Sequence, residues 1–156
     1  MRTIEATPAA RGLRVALVVS KYNDFVPDRL QTGALAALTK AGVADGDITL
    51  IKVPGAFEIS FAARQAAAAG QVDAVVCLGC LIRGATAHFE YIASAVSHGV
   101  TEAAAATGVP MAFGVLTTNS VEEAIERAGE GPANKGWEAA VAAVEMASVL
   151  AQLKRP

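Results

Sequence analysis

The apolar residues of this chain fall into two alternating kinds of segment. Short continuous runs, such as Leu13–Ser20 and Val72–Ile82, are typical of strands buried on both faces of a parallel sheet. Other segments carry apolar residues every three or four positions, as Leu30, Ala34 and Leu38 do, and this spacing predicts amphipathic helices. The chain is therefore expected to alternate between strands and helices.

Four strands and five helices are expected from this pattern. The strands are placed at Leu13–Ser20, Asp47–Val53, Val72–Ile82 and Met111–Leu116. The helices are placed at about residues 27–42, 58–69, 88–107, 121–128 and 137–153. Such alternation predicts an α/β fold, a three-layer α/β/α sandwich with a flavodoxin-like parallel sheet of four strands. A weak N-terminal strand at residues 3–7 would form only if a neighbour offered a sheet edge.

Length and charge narrow the class of protein. The 156 residues suit a single domain, with residues 1–12 as an N-terminal arm. A net charge of −2 without a basic block argues against nucleic acid or an anionic membrane as the main partner. The segment Met1–Arg14 lacks the apolar core of a signal peptide, and no apolar run approaches the about 20 residues of a membrane span. We therefore expect a cytoplasmic location.

The two cysteines, Cys77 and Cys80, have the spacing of a CxxC motif. Because strand residues three apart point to opposite faces, the two thiols are not expected to share a metal ion or form a disulfide. We expect both to be reduced core residues.

A ligand site is expected beyond the carboxyl ends of the parallel strands. Four loops are predicted to meet there: Lys21–Phe25, Pro54–Glu58, Gly79–His88 and Phe113–Asn119. The segment Gly79–Glu90 (Gly-Cys-Leu-Ile-Arg-Gly-Ala-Thr-Ala-His-Phe-Glu) runs from a strand through a small-residue turn into a helix, which favours a phosphate. An ordinary glycine turn with Thr86 as helix N-cap fits the same spacing. The segment is neither a Walker A motif nor a GxGxxG fingerprint, so no nucleotide cofactor is expected.

Several polar and aromatic residues accompany this segment, each with an ordinary alternative role. His88 in the first helical turn could exchange protons as a neutral imidazole, or it could simply cap the helix. Glu58 is favourable at a helix start whether or not it binds a ligand. Tyr22 and Phe113 are expected near strand carboxyl ends, where two rings could enclose a planar ligand, although core packing explains either ring alone. The spacing does not bring Arg127 and Lys135 to this site, and solvated surface charges are the ordinary reading.

Five motifs in order resemble the 6,7-dimethyl-8-ribityllumazine synthase family of riboflavin biosynthesis over Leu13–Leu150. The motifs are Val53-Pro-Gly-Ala-Phe-Glu-Ile, Gly79–Glu90, Phe113-Gly-Val-Leu-Thr-Thr, Ala124-Ile-Glu-Arg-Ala-Gly and Asn134-Lys-Gly. The resemblance implies condensation of 5-amino-6-(D-ribitylamino)uracil with 3,4-dihydroxy-2-butanone 4-phosphate, with release of phosphate and water. It implies neither a metal nor an organic cofactor.

The resemblance also implies roles for individual residues. It assigns proton transfer to His88 and phosphate binding to Arg127. The substrate-binding set that it implies is Tyr22, Ala56, Phe57, Glu58, Cys80, Leu81, Ile82, Ala85, Thr86, Phe113, Arg127 and Lys135. Tyr22 stands where Phe or Trp is common and Cys80 where threonine is common, but Tyr22 keeps a stacking face and the Cys80 backbone can still line the ring. Arg83 and Glu90 receive no role.

Assembly is the last implication of the resemblance. Phe113, Arg127 and Lys135 would come from the adjacent subunit of a homopentamer, and the N-terminal arm could pair with a neighbour's sheet. The short Gly129–Gly136 connection favours a 60-mer shell over a free pentamer, and association with riboflavin synthase is also implied. A non-catalytic flavin- or lumazine-binding or shell-forming relative is the main alternative, and an unrelated sugar-phosphate enzyme on the same fold is a third.

Overall fold

A computed structural model describes residues 1–22 and 25–156 of the chain. Its four parallel strands are β1 (Val15–Ser20), β2 (Ile48–Val53), β3 (Ala74–Ile82) and β4 (Met111–Thr118), in the order β2-β1-β3-β4. Its five α-helices are α1 (Phe25–Ala41), α2 (Ile59–Ala68), α3 (His88–Thr107), α4 (Val121–Arg127) and α5 (Lys135–Leu153). The predicted strands, helices and flavodoxin-like fold are confirmed, with boundaries that differ by a few residues.

Two apolar layers hold the helices against the sheet. One face of the sheet packs on α1, α4 and α5, through residues such as Leu17, Leu30 and Val144. The other face packs on α2 and α3, through residues such as Val18 and Ile59. Alternate strand residues belong to opposite layers because successive side chains in a strand point to opposite faces. The three-layer sandwich follows directly from this arrangement.

The cysteines illustrate the same alternation. Cys80 belongs to the layer beneath α1 and α5, whereas Cys77 belongs to the layer beneath α2 and α3. Both thiols are free and buried, as the strand geometry predicts. Burial raises the pKa of the Cys77 thiol to about 12, so it stays protonated at neutral pH.

Side-chain hydrogen bonds cap the amino ends of α4 and α5. The Ser120 hydroxyl accepts a hydrogen bond from the Glu123 N–H at 3.2 Å, and the Glu123 carboxylate accepts from the Asn119 N–H at 2.9 Å. Asn134 is buried, and its side-chain oxygen accepts from the N–H groups of Gly136 and Trp137. Both caps satisfy amide groups that a helix leaves without intrahelical partners.

The sheet ends in two edge strands, β2 and β4. Lys52 of β2 is exposed and pairs with Asp28 at 3.0 Å. Leu50 of β2 and Phe113 of β4 are 46% and 44% exposed. Each edge therefore offers backbone groups and apolar surface to another chain.

The N-terminal arm runs along α5 and forms no strand within the single chain. The Arg2 guanidinium donates to the carbonyl oxygens of Gln152 and Arg155 at 2.9 and 3.2 Å. The Thr7 N–H donates to the Ser148 hydroxyl at 3.2 Å. Hydrogen bonds with α5 thus satisfy part of the arm, and residues 3–7 do not form the weak strand that was expected only beside a neighbour's sheet edge.

Among the described residues, no helix combines the length and the apolar character that crossing a membrane requires.

Candidate functional site

A cleft of about 480 Å³ opens beyond the carboxyl ends of the strands. Its walls come from the residue after β1, the turn after β2, the end of β3 and the first turns of α3. The lining residues are Tyr22, Gly55, Ala56, Phe57, Glu58, Cys80, Leu81, Ile82, Gly84, Thr86, His88, Phe89 and Ile92. Three of the four predicted loops therefore meet at one site, at the end of the sheet where α/β folds bind ligands.

One wall of the cleft is formed by the chain after β1 and β2. The Lys21 N–H donates to the Val53 carbonyl at 2.8 Å, and the Tyr22 N–H donates to the Pro54 carbonyl at 3.1 Å, so the pairing of β1 with β2 continues past both strands. The Tyr22 ring is 69% exposed, which leaves its face available to a planar ligand. Asn23 and Asp24, the middle of the predicted loop Lys21–Phe25, lie outside the described residues.

The turn after β2 supplies the next wall. Residues Ala56–Glu58 form a short 3-10 turn that leads into α2. Ala56 is buried, Glu58 is half-buried and Phe57 is 60% exposed. A carboxylate at this helix start is favoured by the helix dipole. The turn therefore presents both an apolar surface and a hydrogen-bond acceptor to the cleft.

The end of β3 forms the floor of the cleft. Cys80 is buried, whereas Leu81 and Ile82 are half-buried. Burial raises the pKa of the Cys80 thiol to about 11, so this thiol is neutral at physiological pH and is not poised as a nucleophile. Cys80 thus fits the passive lining role expected of it.

The loop between β3 and α3 carries the polar groups of the cleft. The Thr86 hydroxyl accepts a hydrogen bond from the His88 N–H at 3.4 Å, while the N-cap residue of α3 is Ala87. His88 is exposed in the first turn of α3. Ala85 is exposed in the turn between the lining residues Gly84 and Thr86. The loop is thus an accessible helix start beside an imidazole, a combination suited to binding an anion and moving a proton.

Three of the predicted residues lie together in a separate groove of about 570 Å³ along β4. Phe113, Arg127 and Lys135 line this groove, and none of the residues that line the cleft borders it. The Arg127 guanidinium donates to the Glu123 carbonyl at 3.1 Å, and the Lys135 ammonium pairs with the Glu138 carboxylate at 2.8 Å. The groove therefore contains an aromatic ring and two cationic side chains, all outside the cleft.

The position of Phe113 corrects one prediction. Strand β4 begins at Met111 and continues to Thr118, so Phe113 lies near its amino end and pairs with Cys77 in the middle of β3. The expected loop Phe113–Asn119 is mostly strand for the same reason. Within one chain, Phe113 and Tyr22 therefore do not enclose a common ligand.

Four lining residues received no role from the sequence. They are Gly55, Gly84, Phe89 and Ile92. Ile92 follows His88 by four residues, so helical periodicity places both on one face of α3, and that signal was readable in the sequence. The two glycines and Phe89 lie within the recognised motifs and gave no separate signal.

Within residues 1–22 and 25–156, no three His, Cys, Asp or Glu side chains lie close enough to hold an ion together. The two histidines lie ten positions apart on α3, and the His98 ring nitrogen contacts the Ser94 carbonyl at 2.9 Å.

Comparisons with known proteins give the fold and cleft a context. The sequence model of 6,7-dimethyl-8-ribityllumazine synthase matches residues 12–151. A protein of that name from Syntrophus aciditrophicus is 51% identical over 144 residues, which cover 92% of this chain and 94% of that protein. Proteins of that name from Desulfatibacillum aliphaticivorans and Desulfosudis oleivorans are 47% and 49% identical, with coverage of at least 98% of each chain. This chain therefore belongs to the 6,7-dimethyl-8-ribityllumazine synthase family.

Proposed function

We propose that the protein condenses 5-amino-6-(D-ribitylamino)uracil with 3,4-dihydroxy-2-butanone 4-phosphate to form 6,7-dimethyl-8-ribityllumazine, phosphate and water. It is a transferase of riboflavin biosynthesis. Family membership at about 50% identity over nearly the whole chain is the observation that carries this assignment. The matched proteins are named as synthases, and those names lend no support to the non-catalytic alternative.

In the proposed complex, the cleft binds the ribitylaminouracil. The exposed face of Tyr22 stacks on the pyrimidine ring. Ala56, Phe57 and Glu58 hold the ribityl chain and the ring edge, and the backbone of Cys80–Ile82 lines the ring. These groups surround one cavity, so a single planar substrate can contact all of them.

The loop between β3 and α3 binds the second substrate. Ala85 and Thr86 meet its phosphate at the amino end of α3, where the N–H groups and the helix dipole favour negative charge. His88, which follows directly, exchanges the protons of the reaction. The exposure of the whole loop in the single chain leaves room for a phosphate and for further ligands to it.

Those further ligands come from a neighbouring copy of the chain. Phe113, Arg127 and Lys135 share a groove that is separate from the cleft, so one chain cannot close its own site with them. A ring in which each groove meets the next chain's cleft would place Arg127 on the phosphate and Phe113 beside the pyrimidine. This head-to-tail contact closes into a cyclic oligomer, and we propose a homopentamer.

Each chemical stage then has a physical cause. An amine attacks a ketone to form an imine with loss of water, phosphate is eliminated, and a second amine closes the ring on the remaining carbonyl with loss of a second water. Arg127 and the amide groups at the start of α3 stabilise the departing phosphate. Holding both substrates in one cleft supplies the proximity that the bimolecular step requires. His88 alternates between accepting and returning protons.

The larger assembly and the location complete the proposal. The short Gly129–Gly136 connection favours twelve pentamers in a 60-mer shell, which could associate with riboflavin synthase. Analytical ultracentrifugation separates a pentamer from a shell by mass. We also propose a cytoplasmic location for the protein.

The assignment is tested by incubating the purified protein with both substrates and recording lumazine fluorescence. Reactions that lack either substrate or contain heat-denatured protein define the uncatalysed background. We expect product formation that is proportional to the protein concentration. A rate equal to the background would refute the synthase assignment and leave the non-catalytic binding alternative, which direct binding of the product would then test.

A further inference from the structure

Arg83 and Glu90 bracket the Gly84–Ala87 loop, and their side chains bond to each other. The Arg83 guanidinium forms an ion pair with the Glu90 carboxylate in the first turn of α3. A backbone hydrogen bond from Glu90 itself and the Arg83 guanidinium both hold the pKa of the Glu90 carboxyl below its usual range, so the pair is charged at neutral pH. The ion pair therefore joins the residue that precedes the Gly84–Ala87 loop to the first turn of the helix that follows it.

Other contacts fix the Arg83 side chain in place. Its Nε donates to the Asn119 side-chain oxygen at 3.0 Å, and its guanidinium carbon lies 4.6 Å from the centre of the Phe89 ring. The Arg83 N–H donates to the Thr118 carbonyl at 2.8 Å. The Arg83 backbone thus bonds to the end of β4, while its side chain joins the turn before α4 to the start of α3. The planar guanidinium suits such multiple contacts.

The Arg83 side chain faces away from the cleft. It lines a groove between α3 and β4 that also includes Asn119 and Phe113, whereas the adjacent Ile82 and Gly84 line the cleft. Phe89 borders both cavities, so it forms the wall between them. Arg83 is therefore placed to act on the loop from behind rather than on a ligand.

We propose that Arg83 and Glu90 clamp the Gly84–Ala87 loop, with Arg83 as a positioning residue for the phosphate cradle and for His88. This inference rests on the proposed function. An exposed ion pair contributes little to global stability, and both side chains are about half exposed. The clamp instead limits the conformations of a small-residue loop, so its loss misplaces the phosphate and the imidazole. Misplacement by about 1 Å can cost up to about 100-fold in rate.

The test compares Arg83→Met, Glu90→Ala and Glu90→Gln by steady-state kinetics with each substrate varied in turn. Arg83→Met and Glu90→Ala should each lower kcat/KM for the butanone phosphate by about 10-fold. The KM for ribitylaminouracil should stay within about 2-fold, because Tyr22 and the Ala56–Glu58 turn do not touch the clamp. Glu90→Gln keeps an acceptor oxygen for Arg83, so its kcat/KM for the butanone phosphate should stay within about 3-fold of the wild-type value.

A double variant and a matched control complete the design. The two residues act through one contact, so their losses should not add. The kcat/KM of the double variant Arg83→Met/Glu90→Ala should lie within about 2-fold of that of the more impaired single variant. Arg155→Met removes an exposed arginine far from the loop and should leave both substrates' kinetics unchanged. Thermal midpoints of all variants, measured at one protein concentration, should stay close to that of the wild type.

Two outcomes would overturn the clamp. Normal kinetics in Glu90→Ala combined with a raised KM in Arg83→Met would show that Arg83 binds the phosphate directly. Proportional losses for both substrates with a large fall in thermal midpoint would show a role in folding alone. An inactive wild-type protein would instead refute the proposed function, so the two failures are distinguishable.

Discussion

His88 occupies the first turn of α3 with its ring exposed to the cleft. It carries the one imidazole among the described residues that line the cleft, and imidazole is the side chain that most often serves in general acid–base catalysis. We expect His88→Ala to lower kcat by about 10-fold or more, the lower range for general acid–base catalysis. The KM for ribitylaminouracil should change little because other residues hold the ring.

His98 provides the matched control for this experiment. It lies on the same helix, is exposed and contacts only α3 among the contacts described, through Ser94. His98→Ala should therefore retain the wild-type kcat. An unchanged kcat in His88→Ala would remove His88 from the proton-transfer role.

Arg127 is the residue whose role depends most on assembly. Its guanidinium is exposed at the end of α4, in the groove rather than in the cleft. Arg127→Ala should raise the KM for the butanone phosphate by about 10-fold or more, since a charge-assisted bond contributes about 1.5–3 kcal/mol. The KM for ribitylaminouracil is the internal control, and an unchanged KM for the phosphate substrate would contradict this assignment.

At the scale of elements, the contact between α1 and α5 limits substitution most severely. Gly136 lies against the backbone of Leu30, and an added Cβ would overlap the Leu30 carbonyl. We expect Gly136→Ala to destabilise the fold by about 1–3 kcal/mol or more, as overpacking does. Gly46→Ala is the control, because a Cβ there meets no atom within 4 Å. Denaturant midpoints at one protein concentration compare the two, and equal midpoints would contradict the packing argument.

The amino ends of β1 and β3 are joined by an ion pair that should respond to pH. A hydrogen bond from Arg14 is the main cause that holds the pKa of the Asp73 carboxyl below its ordinary value of 3.8. Because the Asp73 pKa is lower in the folded state, the ionised carboxylate stabilises the fold at pH values above the pKa of the unfolded state. This stabilisation is lost as the pH falls through the pKa of the folded state. Because both side chains are more than a third exposed, screening limits it to about 1 kcal/mol or less.

Asp73→Asn tests this ion pair, since asparagine can still accept the Arg14 N–H bond of 2.9 Å without the charge. Its unfolding free energy should fall less steeply than that of the wild type below about pH 4. Asp45→Asn, an exposed change elsewhere, should keep the wild-type slope. Parallel slopes for Asp73→Asn and the wild type would contradict the linkage.

The elements were predictable from the sequence because local pattern determines them. Continuous apolar runs predicted the strands, and apolar residues at every third or fourth position predicted the helices. The N-terminal arm was not predictable, because its contacts to α5 join residues about 140 positions apart. Phe113 was expected near the carboxyl end of β4 but lies near its amino end. The strand continues beyond its apolar run, and Thr117 and Thr118 are still paired to β3. Tertiary pairing overrode local pattern there.

At the scale of the whole molecule, the residues proposed for the site lie on two separate surfaces. The cleft holds Tyr22, Glu58 and His88, and the groove along β4 holds Arg127 and Lys135. The positions of Tyr22, Glu58 and His88 at strand and helix ends predicted the first group from the sequence alone. Only the family resemblance brought Arg127 and Lys135 to the site, because spacing does not reveal a contact between two chains. The central claim is that a complete site needs both surfaces, from different copies.

Subunit complementation tests this claim most directly. One variant carries Glu58→Ala and His88→Ala in the cleft, and the other carries Arg127→Ala and Lys135→Ala in the groove. Unfolded together and refolded at equal concentrations, they should form mixed rings in which about a quarter of the sites combine an intact cleft with an intact groove. We predict lumazine formation at about a quarter of the wild-type rate, well above either variant refolded alone. A mixture no more active than its two components would contradict the shared site.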